Sequence, residues 1–305
     1  MHELKIILTF LVLLAMLSCK QGERKASSPD SPEKAVLVYT SNYPLYFFAN
    51  RIGGDFLNLE FPASESTDPA YWQPDPVAIS AMQQADLVLL NGASYEKWLG
   101  KVSLPTSRLV NTTDGLEERF IPLEEAVTHS HGPGGEHEHS GTAMTTWLDL
   151  SLALKQAEAV KKALILKFPG QKADFDEAFT QLEAELIQLD TDLESITVAN
   201  PELHVVFSHP VYQYFEQRYK VKGTSLHWEP DVMPDEEQWK ELSHIVEDHQ
   251  GKWMVWEDEP LTEISSRLES LGIRSIVFNP CGNLPEEGDF LSVMKSNLES
   301  LRTIY

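Results

Sequence analysis

Two cysteines, Cys19 and Cys281, are too few among 305 residues to build a disulfide scaffold, so a packed core must hold the fold. Basic residues are also scarce, 24 against 47 acidic ones, for a formal net charge of −23. That excess excludes a nucleic-acid partner, because affinity for a phosphate backbone rests largely on lysines and arginines that displace condensed counterions. Cations are the more natural partners. Also missing are a nucleophile elbow, a Walker loop, a dinucleotide glycine fingerprint and the histidine-glutamate motif of zinc hydrolases; the chain is not expected to be an enzyme. What is plentiful is apolar material, 42% of the residues, enough for a substantial core and too much for a disordered acidic polymer.

Residues 1–18 read as a signal peptide. Lys5 precedes the apolar run Ile6 to Leu17, which is short for a membrane span. Met16-Leu17-Ser18-Cys19 resembles a bacterial lipobox, with Met16 where leucine is usual and Leu17 where a small residue is usual. The resemblance implies lipidation of Cys19 and attachment to a membrane; ordinary cleavage and an uncleaved anchor are the alternatives. Residues 19–34, with Gly22, Ser27, Ser28, Pro29, Ser31 and Pro32 among charges, read as a flexible tether. The body would then lie outside the cytoplasmic membrane, with Cys281 its only free thiol.

Beyond the tether, short β-rich runs alternate with helix-like stretches. Ala35–Thr40, Leu57–Pro62, Leu87–Leu90 and Arg108–Thr112 form one group, and His204–Ser208, Val221–Leu226, Lys252–Trp256 and Ser275–Phe278 a second. Such alternation predicts parallel sheets flanked by helices, and two groups predict two lobes. Between them, Phe175, Phe179, Leu182, Leu186, Leu189, Leu193 and Ile196 recur at spacings of three and four, one apolar stripe on one helix. Pro169-Gly170 and Asn200-Pro201 bound this segment. A helix of about 25 residues is about 40 Å long, enough to join two lobes as a spine. The expected organisation is an N-terminal α/β lobe over 35–172, a connecting helix over 173–200 and a C-terminal α/β lobe over 201–305.

Tyr39-Thr40-Ser41-Asn42-Tyr43-Pro44-Leu45, Gly53-Gly54-Asp55 and Ala85-Asp86-Leu87-Val88-Leu89-Leu90-Asn91-Gly92 resemble the first lobe of the zinc and manganese substrate-binding proteins of bacterial ABC importers. Trp147-Leu148-Asp149, Val205-Val206-Phe207-Ser208-His209 and Gly288-Asp289-Phe290-Leu291 resemble its later blocks. The resemblance implies two Rossmann-like lobes joined by one backbone helix, with a metal in the cleft between them. It also implies three histidines and one carboxylate as ligands. Ala70 stands at the first histidine position, Thr145 at the second and Asn279 at the carboxylate; His209 matches the third histidine. Alanine cannot coordinate, and neutral threonine and asparagine oxygens are poor substitutes for imidazole and carboxylate toward zinc. The usual site is therefore expected not to be intact.

His209 follows a strand-like run and precedes Pro210, which suits the first turn of a helix; it is a ligand or a hydrogen-bonded structural residue. Any cleft metal must recruit substitutes, with His227, Glu259 and Cys281 the candidates, and Glu257 a structural acceptor near the cleft. Tyr71, Trp72, Trp228 and Trp256 line an aromatic pocket or pack the lobe interface. A second metal signal is the stretch 129–139, where His129, His131, His137 and His139 flank a Gly/Pro hinge expected to forbid regular structure. Imidazoles on such a loop can capture zinc weakly and release it on acidification.

The function expected is that of an extracytoplasmic, membrane-anchored substrate-binding lipoprotein that takes zinc, ahead of manganese, to an ABC transporter permease. It would act as a monomer. The alternative is a repurposed scaffold that recognises an organic ligand, a metal chelate or a protein, with the histidine loop as a metal buffer.

Overall fold

The β-rich runs become the strands of two parallel sheets in the computed structural model of the chain, which describes residues 36–63, 68–130, 136–249 and 251–305. The signal peptide, the tether, Cys19 and His131 lie outside the described residues. In the first sheet, β1 (Val36–Thr40), β2 (Leu57–Glu60), β3 (Leu87–Leu90) and β4 (Leu109–Asn111) lie in the order β2-β1-β3-β4. Helix α1 (Tyr43–Gly53) follows β1 and α2 (Pro76–Gln84) precedes β3. An antiparallel pair, β5 (Pro122–Ser130) and β6 (Glu136–Thr142), leads to α3 (Leu150–Lys167) and the spine α4 (Lys172–Thr197). The second sheet contains β7 (His204–Phe207), β8 (Lys222–Ser225), β9 (Trp253–Trp256) and β10 (Arg274–Val277) in the order β10-β9-β7-β8. Helices α5 (Gln213–Tyr219), α6 (Glu236–His249), α7 (Thr262–Ser270) and α8 (Phe290–Arg302) surround it. Counted from its own first strand, the second sheet repeats the strand order of the first.

Strand alternation assigns each sheet two apolar layers. Val38, Leu87, Leu89, Val205, Phe207, Trp253 and Val255 point into one large core that both sheets share with α1, α3, α4 and α8. The intervening Val88 and Leu90 face a smaller core with Met82 and Trp98, and Val206, Met254 and Trp256 face another with Trp228 and Trp239. The spine buries Phe175, Phe179, Leu182, Leu186, Leu189 and Leu193 along the expected stripe, with Thr197 rather than Ile196 closing it. Ala35–Tyr305 is accordingly one compact unit.

Two local expectations are corrected. The stretch 129–139 is not irregular throughout: His129 pairs opposite His137 and Val127 opposite His139 in the β5–β6 ladder. Glycine and proline between two polar runs mark a hairpin as readily as they break a helix. His209 does not begin a helix either, because Pro210 and Val211 form a turn and α5 starts only at Gln213.

Gly223 in β8 shows how tightly α5 rides on the second sheet. A Cβ there would lie 2.3 Å from Phe207 Cε2 and 3.1 Å from Glu216 Oε1. Loss of water around Glu216 pushes its carboxyl up to about 7. The stability associated with this raised group is present below the unfolded carboxyl value of about 4.3 and is lost as pH rises through the folded value. Wild type should therefore lose stability relative to Glu216→Gln between about pH 5 and about pH 8, measured by urea unfolding; parallel profiles would contradict the burial. On the spine, fully buried Leu186→Ala should cost about 2–5 kcal/mol in the same assay.

Candidate functional site

Open α/β sheets place ligands at the carboxyl ends of their strands, where the strand order reverses. In the second sheet that point lies between β7, which ends at Phe207 before Ser208 and His209, and β9, which ends at Trp256 before Glu257. Ser208 N–H still bonds Val255 O at 2.9 Å, and Trp228 N–H bonds Ser208 O at 2.8 Å. These bonds draw the segment after β8 across the end of β7, so that three separate segments converge. His209, only 3% exposed, has Nδ1 3.4 Å from Glu229 Oε1 and 3.8 Å from Glu257 Oε1. Its ring meets that of His227 edge to face, with centroids 5.6 Å apart.

The carboxylates here are crowded. Loss of water, followed by Glu229, Asp68 and Asp258, pushes the Glu257 carboxyl up to about 8. Asp68 belongs to the first lobe, so acidic groups of both lobes act on one another across the junction. Its Oδ1 accepts the Ala70 N–H at 2.9 Å and its carbonyl accepts from Tyr71 and Trp72, a tight turn at the rim. The same charge helps raise the phenols of Tyr71 and Tyr95, after burial itself. A cation placed among Asp68, Glu229 and Glu257 would relieve this repulsion. Among the described residues, no three histidine, cysteine, aspartate or glutamate side chains yet converge closely enough to hold a metal ion.

The three positions where the resemblance implies other ligands are all engaged in structure. Ala70 is buried. Thr145 donates its hydroxyl to Val211 O across the junction at 2.5 Å. Asn279 Oδ1 accepts the Cys281 N–H at 2.7 Å. Of the candidate substitutes, the structure brings only His227 against His209. Glu259 is exposed and turns its N–H to Asp258. Cys281 is buried, and loss of water, then Asp289, pushes its thiol up to about 12, so it offers no thiolate near neutral pH. The carboxylates facing the imidazole are Glu229 and Glu257. Their strand-end positions were visible in the sequence; their convergence with Asp68 depends on the strand order, which was not.

The tryptophans pack rather than line a pocket. Trp228 lies edge to face on Trp239 at 4.7 Å, and Trp256 joins them in the outer core. Trp72 packs against Trp98 at 5.8 Å. Of these four aromatics, Tyr71 is the one whose side chain feels the charge of the acidic turn.

Behind the first-lobe rim lies a buried polar lattice. Asn91 Oδ1 accepts from Asn42 Nδ2, Thr146 Oγ1 and Gln156 Nε2 at 3.0–3.2 Å. The Asn91 and Gly92 N–H groups donate to Glu96, whose carboxyl burial pushes upward. This lattice fixes the Thr145–Trp147 turn. Thr145→Val keeps the shape but removes the donor to Val211 O, and should cost about 1–3 kcal/mol in urea unfolding; an unchanged midpoint would show that the bond does not hold the lobes.

A profile of the family described as "Zinc-uptake complex component A periplasmic" matches residues 38–304. The zinc-binding lipoprotein AdcA of Streptococcus pneumoniae is 23% identical over 99% of this chain, which spans 61% of that relative's length. The high-affinity zinc uptake system protein ZnuA of Bacillus subtilis is 25% identical, with 95% of this chain and 93% of that protein covered. The Zn(II)-bound ZnuA-like domain of the pneumococcal AdcA superimposes with a TM-score of 0.74 at 20% identity, covering 88% of this chain and 98% of that domain.

Proposed function

The chain belongs to the zinc-uptake component A family, and from that premise we propose that it is the metal-binding, substrate-binding protein of an ABC importer. It would be held outside the cytoplasmic membrane through lipidated Cys19, act as a monomer, and hand zinc to a membrane permease. The observation that carries this reading is the His209 imidazole, set at the switch point of the second sheet against Glu229 and Glu257 with the Asp68 charge across the junction. The cargo ion would take His209 and one or more of these carboxylates, with His227 next in reach. His129, His131, His137 and His139 would collect zinc weakly, and the facing of His129 and His137 in the hairpin register supports that role. Nothing in this chemistry calls for catalysis. A second reading, a scaffold turned to an organic ligand, is favoured by the structural use of Ala70, Thr145 and Asn279.

Calorimetric zinc titration separates the two. Changing the four hairpin histidines to serine should lower stoichiometry and leave one cleft site, and adding His209→Ala should weaken that site about tenfold or more. If the four-serine protein retains zinc binding that His209→Ala does not alter, the site is misplaced. If it retains none, the scaffold reading stands.

A further inference from the structure

His209 stands on a segment that is neither strand nor helix. The strand ladder ends behind it, with Ser208 N–H on Val255 O, and α5 begins only at Gln213. Residues 209–212 must therefore fix an imidazole without regular structure beneath them. Upstream, the sheet holds the segment. Downstream, Val211 N–H closes a turn on His209 O at 3.0 Å, and the next residue, Tyr212, extends the hold across the lobe.

Tyr212 is fully buried. Its ring stacks on Phe207, the last residue of β7, with centroids 4.6 Å apart, and meets Phe278 edge to face at 5.7 Å. Its hydroxyl donates to Phe278 O at 2.7 Å. Phe278 lies directly after β10, and β9 stands between β10 and β7 in the sheet. Adjacent strands are about 4.8 Å apart, so the link from the His209 turn to the end of β10 bridges two strand intervals and passes the end of β9. There the Trp256 carbonyl accepts the Phe278 N–H at 2.8 Å. Phe278 is thus bonded on one side to the strand that delivers Glu257 and on the other to the turn that delivers His209. A phenylalanine at 212 would fill the same space; the tyrosine oxygen adds the tie. The other side chains on the turn do different work. Gln213 Nε2 bonds Pro210 O within the turn itself, and Thr145 reaches Val211 O from the other lobe.

We propose that Tyr212 is a positioning residue of the junction, whose hydroxyl bond to Phe278 O sets the His209 imidazole against Glu229 and Glu257 for the cargo ion. This deepens the metal-cargo reading above and rests on it. Groups that orient a metal ligand from behind typically change affinity about 10- to 100-fold when removed, because a ligand loosened by about 1 Å no longer holds the productive geometry.

The test uses the full chain with His129, His131, His137 and His139 changed to serine. Zinc affinity is measured by calorimetry. In the metal-free protein, NMR cross-relaxation between the ring protons of His209 and His227 reports their contact, seen here with centroids 5.6 Å apart. Tyr212→Phe should weaken zinc binding about tenfold or more and lose the ring contact. Leu186→Ala on the spine, which lowers stability, should change neither; circular dichroism confirms folding of each. Unchanged affinity in Tyr212→Phe, an equal loss in Leu186→Ala, or weakened binding with the ring contact intact each overturns the positioning role and leaves the metal-cargo reading standing. If the four-serine parent binds no zinc, the metal-cargo reading falls and the ring contact decides the positioning role: its loss in Tyr212→Phe supports the role, and its persistence overturns it.

Discussion

Trp147 donates its indole N–H to Pro280 O over 2.7 Å, and much of the junction's geometry depends on that bond. The ring crosses Gly282, where a Cβ would come within 3.3 Å of Trp147 Cζ2. Gly282 O accepts the Tyr43 N–H at the head of α1, tying the loop to the first lobe a second time. Between these anchors Cys281 is held at φ +57°, a left-handed conformation that a side chain rarely adopts unless its surroundings over-determine it. The surroundings do so: Asn279 closes a turn on the Cys281 N–H, and Asn297 on α8 clasps both the N–H and the carbonyl of Asn279. The loop where the resemblance implies a ligand carboxylate is instead pinned by its own hydrogen bonds.

The same holds at the other two positions. Thr145 closes the junction onto Val211, and Ala70 fills a buried corner behind the Asp68 turn. At each position where the resemblance implies a ligand, the residue present satisfies the protein's own backbone or core. Glu229, Asp68 and Asp258 still act on Glu257, whose carboxyl burial and these neighbouring charges together push upward.

Much of this fold was legible because it depends on local pattern. The runs Leu87–Leu90 and Trp253–Trp256 and the stripe from Phe175 to Leu193 carry their periodicity in the sequence, and the structure uses them as strands and spine. The site was legible only in part. His209 announces itself by its neighbours in the chain, whereas Glu229 and Glu257 reach it through strand order, and Asp68 through the contact of two lobes. The tryptophans misled for a related reason. Trp228 and Trp256 stand close to strand ends, but the first turns outward onto Trp239 and the second, as the last residue of β9, follows strand alternation into the same outer core. The hairpin escaped notice because its strands are short of apolar residues and carry no sustained hydrophobic alternation to read.

Selectivity follows from what survives. The net charge of −23 draws cations toward the molecule, but beyond about 8–10 Å physiological salt screens it, so the field recruits without choosing. Choice must come from the donors at the junction. A set with one imidazole and several carboxylates is oxygen-rich, which narrows the margin by which nitrogen and sulfur ligands favour zinc over harder ions such as manganese. Nitrogen donors that would restore the margin have to come from His227 or from the hairpin histidines. His227 asks the least rearrangement of the protein, since its ring already meets that of His209 and Trp147, Thr145 and Asn279 can keep every bond they now make.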